Sequence, residues 1–95
     1  MEVRKTETFL KWIDSLRDSN AKVRILARIE RLACGNPGDV KTTQEGVSEL
    51  RIDYGPGYRV YFKQQGTKLI ILLAGGNKKT QSKDIEMAVY LARNL

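Results

Sequence analysis

The sequence predicts an α+β domain with the order β-α-α-β-β-β-α: an antiparallel-dominated sheet, a helical hairpin on one face, and a C-terminal helix. Three observations lead there. Apolar residues recur with helical spacing from about position 7 to position 33. The period then drops to two between Ser48 and Lys63. Helical spacing returns after Lys79. Helices and strands grouped in runs indicate an α+β layer and argue against alternating βαβ units. Ninety-five residues allow one hydrophobic core, so the whole of 1–95 reads as a single domain.

Val3–Lys5 is a short first strand. From Glu7 to Leu16, the residues Phe9, Trp12, Ile13 and Leu16 fall at i, i+3, i+4 and i+7, on one face of a helix. The polar break Arg17-Asp18-Ser19-Asn20 follows, with Ser19 or Asn20 as the cap of a second helix over Ala21–Ala33. Its apolar set is Val23, Leu26, Ala27, Ile29, Leu32 and Ala33, and Gly35 and Pro37 stop it. Residues 35–46 read as a polar loop. Leu50 and Ile52 then alternate with Glu49 and Arg51 before the turn Asp53-Tyr54-Gly55-Pro56-Gly57. Tyr58, Val60 and Phe62 alternate with Arg59, Tyr61 and Lys63, which makes a strand–turn–strand hairpin. Leu69–Ala74 is an unbroken apolar run, as expected of a strand covered on both faces. Gly75 and Gly76 let that strand end and turn. Thr80 or Ser82 opens the last helix, which buries Ile85, Ala88, Val89, Ala92 and Leu95.

Charge and composition narrow the function. Seventeen Lys and Arg against eleven Asp and Glu leave a net charge of +6, the footprint of a domain that meets polyanions or acidic partner segments. The chain has no histidine, which removes imidazole acid–base chemistry and the usual zinc sites. Cys34 stands alone and makes no internal disulfide. No run is long and apolar enough to span a bilayer, and no apolar signal region follows the N-terminal Met1–Lys5, so a cytoplasmic location is expected and no membrane partner. Neither metal nor cofactor is expected. Strand parity turns Leu50, Ile52, Val60 and Phe62 toward the helical hairpin, and Glu49, Arg51, Arg59, Tyr61 and Lys63 to the other face. The next strand exits into Lys78 and Lys79, with Lys83 one turn on. A basic face interleaved with tyrosines suits a phosphodiester and its bases.

Three blocks in this arrangement closely resemble the RelE/ParE toxin superfamily, and most of all its HigB-like addiction-module killer proteins. They are Gly46–Ile52, Gly55–Phe62 and Gly75–Ile85. The likeness extends to the Phe9/Trp12 helix and to Leu26–Leu32. It implies a toxin of a type II toxin–antitoxin system, held inactive by a cognate antitoxin: a helix-turn-helix protein encoded next door, through which alone the pair would touch operator DNA. It also implies a metal-independent endoribonuclease that cuts mRNA on the ribosome and so inhibits translation. By position, Arg59 matches the Arg of a Tyr-Arg strand motif. Arg51 matches a basic position on the preceding strand, and Lys78 or Lys79 the basic residue after the last strand. Arg51, Arg59 and Lys63 are then the RNA contacts. Lys79, Lys83, Asp84 and Tyr61 are the candidates for proton transfer. Glu49 stands where RelE itself is basic. The C-terminal tyrosine of the family pattern is replaced near Ile85, and the His that some HigB-type members use beside Asp84 is missing, so the acid and base stay open. Two other functions remain compatible: a ParE-type toxin that inhibits DNA gyrase, and a non-enzymatic module whose basic face only docks on nucleic acid or protein.

Overall fold

A computed structural model describes all of residues 1–95. The chain runs through β1 (Glu2–Lys5), α1 (Glu7–Ser15), α2 (Ser19–Ala33), β2 (Val40–Thr42), β3 (Val47–Ile52), β4 (Tyr58–Gln65) and β5 (Leu69–Asn77). A 3-10 turn over Lys78–Thr80 leads into α3 (Gln81–Arg93). The strands form one mixed five-stranded sheet in the order β1-β5-β4-β3-β2, in which only the β1–β5 pair is parallel. The fold is α+β, with one strand more than the sequence order predicts. The extra strand, β2, lies inside the expected polar loop. Three residues are too few for alternation to show, and β2 forms because Val40, Lys41 and Thr42 pair with Leu50, Glu49 and Ser48.

Local chemistry fixes the helix ends. Thr6 accepts the Phe9 N–H to cap α1 and donates its own hydroxyl to the Leu73 carbonyl at 2.6 Å, which ties the helix start to β5. Asp18, rather than Ser19 or Asn20, caps α2: one carboxylate oxygen accepts from the N–H groups of Asn20 and Ala21. A carboxylate is also the better partner for the positive end of the helix dipole.

The sheet is covered on both faces. Phe9 and Ile13 of α1 and Ile25, Ile29 and Leu32 of α2 pack on Leu50, Ile52, Val60, Phe62, Ile70 and Leu72. On the opposite face, Ala88, Val89 and Ala92 of α3 pack on Val47, Tyr61, Ile71, Leu73 and Ala74. β5 supplies side chains to both cores, which explains its unbroken apolar run. The buried stripe of α2 is Ala21, Ile25, Ile29 and Leu32; Val23 and Leu26, expected on it, face solvent. Leu95 and Cys34 are exposed as well.

A bulge sets which way the end of β5 faces. Phe62 pairs with Leu72 and Tyr61 with Ala74, so β5 carries one extra residue, Leu73. Strict alternation would send residue 76 to the α1/α2 side. The bulge reverses that parity, so Gly75 faces α1 and Gly76 faces α3. Neither glycine turns the chain, as both lie inside β5. They allow close approach: a Cβ on Gly75 would lie 2.1 Å from the Trp12 ring, and one on Gly76 would lie 1.7 Å from Asp84 Oδ2. No helix is long and apolar enough to cross a membrane.

Candidate active site

α3 covers the middle of the face that carries Glu49, Arg51, Arg59 and Tyr61, so that face is not the open basic surface expected of it. Glu49 and Tyr61 are wholly buried. One end stays open. There Arg51 and Arg59 are direct cross-strand partners, and Lys78 leaves the neighbouring strand beside Gly57. With Asp39, Ile52, Asp53, Gly57 and Tyr58 they line a hollow of about 260 Å³. A larger hollow of about 470 Å³ lies by β1, lined by Arg4, Lys5, Thr6, Gln65, Ile71 and Leu95. Its two cations ride on an exposed edge strand, and no buried group organises them.

Glu49 organises the arginines. Its Oε1 accepts from Arg51 Nε at 2.8 Å, and its Oε2 accepts from Gln81 Nε2 at 2.8 Å and faces Arg59 Nε at 3.9 Å. The Arg51 side chain is 33% exposed, that of Arg59 13% and that of Glu49 0%. The Nη groups of both arginines, and the buried Nε of Arg59, have no hydrogen-bond acceptor in the protein. Burial alone would push the Glu49 carboxyl up. The hydrogen bonds from Arg51 and Gln81, with the charges of Arg59 and Arg51, outweigh it and hold the carboxyl below the usual glutamate range.

The proton-transfer candidates from the sequence fare differently. The Tyr61 hydroxyl is buried without a hydrogen-bond partner. Burial, and then the nearby Glu49 carboxylate, push its ionisation well above the ordinary tyrosine value. Tyr61 is therefore a neutral group under α3, out of a substrate's reach. Asp84 sits over Gly76 and accepts from Thr80 Oγ1 at 2.5 Å. Burial raises its carboxyl above the usual aspartate value, against the opposing effects of the Thr80 hydrogen bond and Lys83. Lys83 lies on the outer side of α3 with Glu86, Met87 and Tyr90. Lys79 is exposed on the 3-10 turn, where Asn77 accepts its N–H, and it does not line the hollow. Lys63 is four residues along β4 from Arg59, about 13 Å away at the usual strand rise. The structure thus brings Arg51, Arg59 and Lys78 together and leaves Lys63, Lys79, Lys83, Asp84 and Tyr61 off the hollow.

Sequence reasoning missed three contributors. Gln81 holds Glu49 from the first turn of α3. Asp39 and Asp53 present the only carboxylates on the hollow's wall, and neither is in an ion pair. The Asp39 carbonyl accepts the Arg51 N–H at 3.0 Å, which carries the β2–β3 ladder one step further and sets Asp39 beside Arg51. Reading Val40-Lys41-Thr42 as a strand would have exposed it. The hollow's back wall is also fixed from α2. Arg28 donates to the Arg51 carbonyl at 2.6 Å and to the Pro37 carbonyl at 3.0 Å, so it ties α2 to the end of β3. No cluster of three or more His, Cys, Asp or Glu is placed to hold a metal ion.

This layout meets its relatives at the level of the whole chain. Residues 11–94 match the model of the family described as phage derived protein Gp49-like. The chain belongs to the Gp49-like family. That family is RelE-like and is associated with toxin-like proteins. An uncharacterized protein of Haemophilus influenzae is 50% identical over 95 residues, spanning 100% of this Gp49-like chain and 96% of its own length.

Proposed function

We propose that this Gp49-like protein is the toxin of a type II toxin–antitoxin pair, of the HigB-like kind, and that it cleaves messenger RNA on the ribosome in the cytoplasm. The observation that carries this reading is the Arg51–Arg59–Lys78 hollow, where a buried carboxylate hydrogen-bonds Arg51 and faces Arg59 at 3.9 Å, and the Nη groups of both arginines stay free. Such groups bind a phosphate in a bidentate fashion and stabilise charge as it develops on the phosphoryl oxygens.

In a chain without histidine, the wall carboxylates take the base's role. Asp39 or Asp53 accepts the proton of the ribose 2′-hydroxyl, and the 2′-oxygen attacks phosphorus. The P–O5′ bond breaks, and the Lys78 ammonium protonates the leaving 5′-oxygen. The products are a 2′,3′-cyclic phosphate and a 5′-hydroxyl end. Arg51 and Arg59 hold the phosphate throughout. The partners in this reading are the ribosome with its mRNA and a cognate helix-turn-helix antitoxin, through which alone the pair contacts operator DNA.

Expression in a host without the antitoxin tests the proposal. The wild-type protein arrests growth and halts translation, and co-expression of the neighbouring helix-turn-helix gene relieves the arrest. Arg59→Ala abolishes toxicity and leaves the circular dichroism spectrum unchanged. Full growth of cells making folded wild-type protein would overturn the reading.

A further inference from the structure

The arginine pair poses an electrostatic problem that the fold has to solve. Arg51 and Arg59 are directly opposite each other across the β3–β4 ladder. Directly opposed residues have Cβ atoms about 5 Å apart, and like charges there repel. The easy outcome is for two long cationic side chains to splay apart into solvent. They do not, because Glu49 sits on the same face, two residues before Arg51 on β3 and cross-strand from Tyr61.

Glu49 is an unusual group to find there. It is the only charged residue among the buried ones. Burying a carboxylate is costly unless it is paired and hydrogen-bonded. A buried ion pair is also weak evidence for a stabilising role, since an apolar replacement of the same volume is often as stable. What the pair does is geometric. Glu49 accepts the Nε–H of Arg51 and lies 3.9 Å from the Arg59 Nε, which is buried with no hydrogen-bond partner of its own, so Arg59 is drawn to Glu49 by charge alone and the Nη groups of both arginines stay free. Gln81 fixes the other carboxylate oxygen from α3, so the orientation of Glu49 depends on the helix being docked.

We infer that Glu49, steadied by Gln81, is the positioning residue that holds Arg51 and Arg59 side by side as one phosphate clamp. The inference deepens the proposed RNA cleavage and rests on it for its kinetic test. Glu49 touches no substrate; it acts through the two arginines. Removing its charge leaves the hollow more positive but lets the guanidinium groups diverge. Binding and catalysis then move in opposite directions, which loss of stability alone would not produce.

The test is Glu49→Gln beside Gln81→Ala, assayed on ribosomes programmed with mRNA and, separately, for binding of an RNA in which every 2′-hydroxyl is methylated. Glu49→Gln is expected to lower kcat by about 10–100-fold, the usual cost of a misplaced catalytic contact. It should bind the methylated RNA at least as tightly as the wild type, because the hollow has gained positive charge. Gln81→Ala, which removes no charge, should give a smaller fall in kcat at unchanged KM. If Glu49→Gln does not fold, Gln81→Ala carries the test, and an unchanged kcat in it overturns the inference. A Glu49→Gln protein that cleaves at the wild-type rate, or that loses RNA binding and cleavage together, also overturns it. A separate readout covers failure of the cleavage reading itself. Nitrogen-15 spectra should show a slowly exchanging Arg51 Nε–Hε signal in the wild type that shifts with inorganic phosphate and is lost in Glu49→Ala, which has no acceptor. The same signal in both proteins would refute the positioning role whether or not the protein cuts RNA.

Discussion

At the scale of single residues, what sets the hollow's arginines apart from other cations is the burial of their counter-charge. An exposed ion pair such as Lys11–Glu7 is worth about 0–1 kcal/mol and decides nothing. Arg51 and Arg59 differ because their carboxylate is wholly buried, bonded to the Nε of Arg51 and 3.9 Å from that of Arg59. The carboxylates that line the same hollow give a direct prediction. If Asp39 or Asp53 is the base, the Asn variant of that residue lowers the single-turnover cleavage rate by about 10²–10⁴-fold with RNA binding retained. Equal rates for both variants and the wild type would remove the carboxylates from the mechanism. Glu49 also sets an acid limit on stability. Its folded-state carboxyl titrates below the ordinary value of 4.5, so its contribution is present above that value and is lost as the pH falls through the lower, folded-state one. The melting temperature should therefore drop below about pH 4.5, and the drop should be shallower in Glu49→Gln. Arg51, Arg59 and Lys78 were legible from parity and position. Asp39 and Gln81 were not, because each reaches the site through a tertiary pairing that has no local sequence period.

At the scale of elements, the bulge at Leu73 and the two glycines after it place α1 and α3 on the sheet. Trp12 lies over Gly75 and Asp84 over Gly76, on opposite faces of one strand. Gly75→Ala forces the indole off the sheet, and Gly76→Ala forces out Asp84 and with it the start of α3. Each should cost about 1–3 kcal/mol or more, as overpacking does, measured by urea unfolding. Gly76→Ala should also reduce cleavage, because Gln81 sits in the displaced turn. A Gly76→Ala protein with wild-type stability would mean that α3 is less tightly seated than these contacts imply. The helical hairpin, the β3–β4 hairpin and the doubly covered β5 could all be read from periodicity. The bulge could not, because one inserted residue leaves an apolar run looking uninterrupted. The placement of α3 was also hidden. Its short apolar stripe shows that it packs, but not on which face, and so the basic face read from alternation turned out to be half covered.

At the scale of the whole molecule, the +6 charge is spread over the surface, while the proposed chemistry is confined to one open end of a sheet buried between helical layers. That division predicts two kinds of salt dependence. Binding of the methylated RNA should weaken steeply with added salt, because it follows counterion release from many phosphate contacts. The single-turnover rate at saturating RNA should change little, because the clamp is local and partly shielded from solvent. The measurement that bears most directly on the account is the mapping of mRNA ends after ribosomes stalled on a defined codon are treated with wild-type protein or with Arg59→Ala. Wild-type protein is expected to cut within the A-site codon and leave 2′,3′-cyclic phosphate and 5′-hydroxyl ends, about 10²–10³-fold faster than the variant. Intact mRNA with the wild type, or equal cutting by a folded Arg59→Ala, would contradict it.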